Sequence, residues 1–310
     1  MRPVIPVAAG CVINAGGEVL ICQRPAGKIA AGKWEFPGGK IEAGETSYQA
    51  LVRELHEELG LHVRAARPLI RVTHDYSDRR VILDTWRVTG CDGLPQAHDQ
   101  QAFEWVRPAD LNGWDLLAAD APIVSALQLP SHYVFTPPRI SKTELLRGLQ
   151  RLPPGALLRL RQPELDDSRY LLLARELIAR CDEQKLSLIL DRDPQDAVAM
   201  GAAGWHATSL GLQALPKRPL PSDFWFAASC HTLDEINHAR EIEVDCAVVG
   251  AVNSTPSHPG RPGLGWPRFS ECAHALSRPV YAIGGLGPAD VSAAWRHSAQ
   301  GVAGVSAYWT

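Results

Sequence analysis

The 310-residue sequence predicts a two-domain α/β protein. Three observations carry this. The length exceeds what one core usually serves. The first part mixes strand patterns with one strongly amphipathic helix. From about residue 130 eight short apolar strand candidates alternate with helical segments. The expected division is 1–129 and 133–310, with "QLPSH" at 128–132 as the linker.

In the first part, "VAAGCVI" and "EVLICQR" are apolar runs joined by the turn signal "NAGG". "RVILDTWRV" and "FEWVRP" are further strand candidates. Over 46–59, Ala50, Leu51, Leu55 and Leu59 recur at helical spacing with charge on the other face. A second helix is expected over 120–129. In the second part the strands are "YVFTP", "ALLRLRQ", "LSLILDRD", "WHATS", "FWFAASC", "CAVVGAV", "PVYAIGG" and "GVAGVSAY". Helical segments such as 167–181, 232–242 and 287–297 lie between them. Eight such units predict a (β/α)8 barrel. The length count leaves it without its last helix.

Composition narrows the function. The chain is 45% hydrophobic and 21% charged, ordinary for a globular protein, and its net charge of -3 gives no broad electrostatic footprint for nucleic acid. The 7 cysteines are scattered and form no CxxC pair, the pattern of reduced thiols in a cytoplasmic protein. The N-terminal apolar run is short and broken, unlike a signal peptide, and no run suits a membrane span.

The chemistry concentrates in "GKIEAGETSYQALVRELHEELGL", residues 39–61. Glu54, Glu57 and Glu58 stand at i, i+3 and i+4, so three carboxylates share one helix face. Like charges so placed repel, unless a hard divalent cation neutralises them. Oxygen donors favour Mg²⁺ or Mn²⁺. The preceding "FPGGKIEAGE" can turn sharply and bring backbone groups to the same centre. Glu45 lies near the helix start, where a carboxylate suits the dipole. A Glu-rich surface helix is the plain alternative.

The spacing of Gly39, Glu45, Arg53-Glu54-Leu55, Glu57-Glu58 and Gly60-Leu61 matches the Nudix box at each defined position. With "KWEFPGGKIEAGE", residues 1 to about 128 resemble the MutT branch of Nudix hydrolases, the 8-oxo-dGTP diphosphatases. The resemblance implies an α/β/α sandwich that hydrolyses a nucleoside triphosphate to the monophosphate and pyrophosphate by metal-assisted attack of water. It further implies metal ligation by Glu54, Glu57 and Glu58 with the Gly38 carbonyl, and bracing by Arg53. One of these glutamates, or a more distant acid, would orient the water. A further acid is expected at Asp99, or alternatively Glu104. Substrate contacts are expected from Arg24, Phe36, Tyr76, Arg79 and Asp120, the last where relatives carry an Asn or Asp that reads the purine edge. Ile29 stands where some relatives have a polar residue.

Residues 133–308 resemble the thiamine phosphate synthase and TenI family. The segments "RLR", "AMGAAGWHATS", "SCHTLDE", "TPSHPGRPGLGW", "AIGG" and "GVAGVSAY" fall in that family's order. The resemblance implies a phosphate cradle at Gly284, Gly285, Gly304 and Ser306 for a phosphorylated thiazole or thiamine-like ligand. The departures are Arg161 for a lysine, Asp191-Arg192 for an Asn-Asp pair, His258 for a lysine, and no second acid near Gly211. They weigh against synthase chemistry. His231 matches the histidine of the metal-free tautomerases. A binding module or a scaffold remains the alternative.

Overall fold

A computed structural model describes residues 2–98, 102–255, 260 and 262–309. The chain divides into two compact units, Met1–Gln128 and Leu129–Thr310.

In the first unit the strands are β1 (Val4–Val12), β2 (Val19–Gln23), β3 (Trp34–Glu35), β4 (Gly38–Lys40), β5 (His62–Asp75), β6 (Arg80–Asp92) and β7 (Phe103–Val106). The helices are α1 (Ser47–Leu59) and α2 (Ala121–Gln128). One mixed sheet runs β4-β1-β6-β5, and a smaller sheet runs β3-β2-β7. Alternation along β1 sends Ala8 and Val12 into the core under α1, and Ala9 and Cys11 into a second core that contains Ile123 and Leu127 of α2. Helix α1 buries Ala50, Leu51, Leu55 and Leu59. Thr46 and Gln49 form a capping box at its start, and Gly60 ends it in the left-handed region at φ 67°. The long strand β5 was not evident from sequence. Pro68 interrupts its alternation, and its register against β6 shifts between Val63 and Ala66 and again between Pro68 and Ile70.

All eight expected barrel strands form: β8 (His132–Phe135), β9 (Leu157–Arg159), β10 (Ser187–Leu190), β11 (Gly204–Ala207), β12 (Trp225–Cys230), β13 (Cys246–Gly250), β14 (Val280–Ile283) and β15 (Gly301–Gly304). Each pairs in parallel with the next, and β15 pairs with β8 to close the barrel. Its interior is filled by Tyr133, Phe135, Leu157, Ile189, Val248 and Tyr281 among others. Between the strands lie α3 (Lys142–Leu149), α4 (Asp167–Glu183), α5 (Pro194–Met200), α6 (Ser209–Gln213), α7 (Leu233–Glu241), α8 (Gly265–Leu276) and α9 (Val291–Arg296). The segment expected as one helix over 287–297 is a 3₁₀ turn, Pro288–Asp290, followed by α9. Past β15 the described chain forms only the 3₁₀ turn Ser306–Tyr308. Trp309 then donates its indole N–H to Phe135 O at 2.9 Å.

All seven cysteines are free. No helix among the described residues is long and apolar enough to cross a membrane.

Candidate active site

Arg53 organises the exposed side of α1. Its Nε and one terminal nitrogen donate to the two oxygens of Glu45 at 2.8 and 2.9 Å. The other terminal nitrogen donates to Glu54 Oε1 at 2.8 Å and Glu57 Oε2 at 3.2 Å. A further bond reaches Lys40 O at 3.0 Å. The planar fork therefore ties the loop carboxylate to the helix carboxylates, which an ammonium could not do with the same geometry. Glu45 is pulled down to about 2, first by the Arg53 hydrogen bonds and then by the Glu42 N–H.

Glu58 points away from Arg53. Its Oε2 accepts from the Gly38 N–H at 3.1 Å. Burial pushes its carboxyl up to about 7; the Gly38 bond opposes this and the Glu54 charge adds to it. The Glu54 carboxylate lies against Gly39, where a Cβ would sit 2.3 Å from Oε1. A larger residue there would displace the Glu54 carboxylate. Gly38 touches the cluster through its N–H.

Among the described residues no three acidic, histidine or cysteine side chains converge as a formed metal cage. Arg53 and Gly38 hold the carboxylates in their present directions. Even so, among the described residues Glu54 Oε2, Glu57 Oε1 and Glu58 Oε1 each lack a protein hydrogen bond. None of these oxygens is buried and unsatisfied. Three open carboxylate oxygens on one helix turn suit a hard divalent cation. Asp99 lies outside the described residues. Glu104 sits on β7, paired with Ile21.

A second cluster gathers Arg24, Glu35, Phe36 and Asp120. Arg24, just past β2, pairs with Glu35 of β3. Asp120 ends a 3₁₀ turn before α2 and is only 2% exposed. Its buried Oδ2 has no hydrogen-bond partner among the described residues. Burial drives Asp120 well above the usual carboxylate range; the nearby Glu35 charge adds to this, and the Phe36 backbone N–H and Arg24 oppose it. Glu35 is also raised by burial, against the pull of Arg24. The Tyr76 hydroxyl is raised by burial first and then by the Asp120 charge. Arg79 lies over the Tyr76 ring at 4.7 Å and pairs with Asp78 at 2.8 Å. Sequence reasoning missed Glu35. The only available cue was its place on a strand opposite the end of β2.

The barrel strands end in a third cluster. Arg159 and Asp191 form a buried ion pair at 3.0 Å, with side chains 5% and 11% exposed. Tyr170 donates to the other Asp191 oxygen at 3.0 Å, and Arg159 lies over the Phe135 ring. Arg192 pairs with Asp167 and stacks on Tyr170. His206 is fully buried, with Tyr133 Oη and Ser229 Oγ each at 2.8 Å. Burial first, and then the Arg159 charge, holds its imidazole neutral. His231, just past β12, is exposed, and its Nδ1 lies 3.0 Å from Gly250 O. That contact makes Nδ1 the donor and leaves Nε2 with the lone pair. Glu235 anchors this loop by accepting from the His231 N–H at 2.5 Å. Gly284 and Gly285 follow β14 with φ of 110° and 63°. A Cβ on Gly284 would strike Ala251 at 2.5 Å. Gly304 ends β15, and Ser306 opens the last 3₁₀ turn.

Residues 8–126 match the NUDIX domain, and residues 132–308 match the thiamine monophosphate synthase family. The chain is 40% identical over 126 residues to the CTP pyrophosphohydrolase of Escherichia coli (strain K12), spanning 41% of this chain and 92% of that one. It is 36% identical over 124 residues to the 8-oxo-dGTP diphosphatase of the same organism, spanning 40% and 96%. It is 33% identical over 182 residues to the thiamine-phosphate synthase of Thioalkalivibrio sulfidiphilus (strain HL-EbGR7), spanning 56% and 85%. With the glutamate helix of its first unit and the closed parallel barrel of its second, the chain belongs to the Nudix pyrophosphohydrolases through residues 8–126 and to the thiamine monophosphate synthase family through residues 132–308.

Proposed function

We propose that the first unit hydrolyses oxidised purine nucleoside triphosphates, 8-oxo-dGTP to 8-oxo-dGMP and pyrophosphate, and so keeps damaged nucleotides out of DNA. The observation that carries this reading is the surplus of carboxylate around Arg53. The arginine braces Glu45, Glu54 and Glu57, yet an oxygen on each of Glu54, Glu57 and Glu58 stays open. These three, with Gly38 and Asp99, are the residues that would hold Mg²⁺ or Mn²⁺. Once bound, such an ion supplies charge neutralisation at the phosphates and a more acidic water. A water oxygen bonds to phosphorus, the bridging P–O bond breaks, and the nucleotide leaves as its monophosphate. One of these glutamates, or a more distant acid, would accept the proton of that water. Arg53 acts by fixing the other carboxylates.

Base choice falls to Asp120, with Phe36, Tyr76, Arg24 and Arg79 around the nucleotide. A protonated carboxyl offers one donor and one acceptor. The O6 acceptor and N7–H donor of 8-oxoguanine complement that pair. Unoxidised guanine presents two acceptors on the same edge and leaves one facing an acceptor. The N3 and N4 edge of cytosine also complements it. The relative named a CTP pyrophosphohydrolase therefore favours a second reading, in which cytidine triphosphates are the substrate.

For the barrel we infer a phosphorylated thiazole or thiamine-like ligand, held at Gly284, Gly285, Gly304 and Ser306, with His231 Nε2 as the proton-transferring atom. The Arg159–Asp191 pair supports a role other than pyrophosphate-releasing synthesis, since the arginine charge is already satisfied. A thiamine-related pyrophosphate is a further substrate to test on the Nudix unit. Steady-state assays against 8-oxo-dGTP, dGTP, CTP and thiamine-related pyrophosphates, with Glu54→Gln and Glu57→Gln controls, decide among these. A preference for dGTP over 8-oxo-dGTP removes the first reading. Activity that survives both substitutions removes the metal assignment.

A further inference from the structure

Strand β2 divides its side chains between two cores. Val19 and Ile21 enter the core that contains α2, and Leu20 and Cys22 enter the core under α1. Arg24 is the next residue in phase with Cys22, so its side chain leaves the strand on the α1 side. Glu35 of β3 stands opposite Cys22 in the antiparallel register and shares that side. Its neighbours Trp34 and Phe36 turn the other way, into the α2 core. Three residues beyond Glu35, Gly38 N donates to Glu58 Oε2 of α1. One residue before it, Trp34 O accepts from Leu117 N at 3.0 Å, on the segment that leads to Asp120. The short strand thus carries Glu35 between its bond to the glutamate helix and its bond to the base-reading segment.

Two contacts fix the Arg24 guanidinium. Nε donates to Ile29 O at 2.8 Å, and Nη1 pairs with Glu35. Among the described residues Nη2 has no hydrogen-bond partner. Ile29 belongs to the connection between β2 and β3, where its side chain is exposed. Glu35 instead stands on a strand paired to β2, so it is the rigid one of the two anchors. A planar fork held at two points and open at the third has a fixed direction. The pair, with side chains 21% and 24% exposed, adds little to stability. What it supplies is the aim of Nη2.

We propose that Glu35 is a positioning residue, which holds Arg24 so that Nη2 donates to an acceptor oxygen of the bound nucleotide. This rests on the triphosphate reading above. It adds to that reading a residue that acts through Arg24 and makes no contact of its own with the substrate. Charge and geometry both count here, because a carboxylate accepts from a guanidinium more strongly than a neutral oxygen does.

The test uses the full chain with Glu35→Gln, Glu35→Ala, Arg24→Ala and the double variant of Glu35→Ala with Arg24→Ala. Steady-state hydrolysis of 8-oxo-dGTP and CTP is measured beside thermal unfolding, and the Arg24 Nε–H signal is followed by heteronuclear NMR. We expect Glu35→Ala to raise KM about tenfold, with kcat within about twofold and the melting temperature within about 2 °C. Glu35→Gln should keep part of the affinity, because its amide oxygen still accepts. Arg24→Ala should raise KM at least as far. The double variant should go no further than Arg24→Ala alone, since Glu35 has no effect once its partner is gone. The Arg24 signal should be resolved in the unaltered chain and lost to exchange in Glu35→Ala. Single losses that add in the double variant, an unchanged KM in Glu35→Ala, or an Arg24 signal indifferent to Glu35→Ala each overturn the assignment. Failure of the unaltered chain to hydrolyse either triphosphate, with the Arg24 signal still dependent on Glu35, sinks the substrate reading instead.

Discussion

Arg53 and Arg159 each meet carboxylates, and the two settings could hardly differ more. Arg53 is one cation among Glu45, Glu54 and Glu57, 25% exposed, with Glu58 beside them and carboxylate oxygens left over. Arg159 is 5% exposed and cancelled by Asp191, whose second oxygen is taken by Tyr170. A network with surplus charge facing solvent is prepared to take a ligand of the opposite sign. A buried network whose charges and hydrogen bonds close on themselves has nothing left to offer. The first arrangement suits the binding of a cation, the second the stability of the barrel.

Several substitutions can break or sharpen this contrast. Glu54→Gln and Glu57→Gln should each lower kcat by about 10³-fold, because each removes a carboxylate that would hold the divalent cation at the reacting phosphates. Neither should lower the melting temperature, since each relieves like-charge repulsion; a matching loss of fold by circular dichroism would count against the ligand role. In the barrel the cost should fall on stability. Asp191→Ala strands a buried guanidinium and should cost roughly 3 kcal/mol in denaturant unfolding, while nucleotide hydrolysis continues at the parental rate. The pair Arg159→Met with Asp191→Leu should recover most of that loss.

Asp120→Asn gives a smaller, pH-dependent effect. Burial holds the folded carboxyl protonated where the unfolded chain, with its group near 3.9, has lost the proton. The unfolded state therefore binds fewer protons, and this residue makes stability fall as pH rises from about 4 toward the raised folded value. Asparagine stays neutral in both states. The variant should match the parent near pH 4 and melt a few degrees higher near pH 8. Parallel curves across that range would show that Asp120 ionises normally. Smallest of all, His231→Ala should leave the melting temperature within about 2 °C, because the residue is exposed and, among the described residues, its ring hydrogen-bonds to Gly250 O alone. Its effect should be confined to turnover of a barrel ligand.

Much of α1 was legible because its cues are local. Thr46 and Gly60 mark its ends, four apolar residues mark its buried face, and the spacing of Glu54, Glu57 and Glu58 puts them on the other face. The eight barrel strands were legible because a parallel strand covered on both faces is an unbroken apolar run. The 14-residue β5 was not, since Pro68 and its bulges interrupt the alternation. Glu35 was also passed over, because its pairing with Arg24 depends on β3 lying beside β2 and not on local spacing.

The sequence by itself determined the two units, the strands of the barrel and the helix that bears the glutamates, because each follows from periodicity and spacing within a few residues of chain. Only the tertiary structure decided which charges stay open. Asp191 reaches Arg159 because β9 and β10 pair side by side, and Asp120 comes back beside β3 because Leu117 N just before it donates to Trp34 O at 3.0 Å. Whether a carboxylate is closed by a partner or left for a ligand depends on neighbours distant in sequence, and burial then sets its charge.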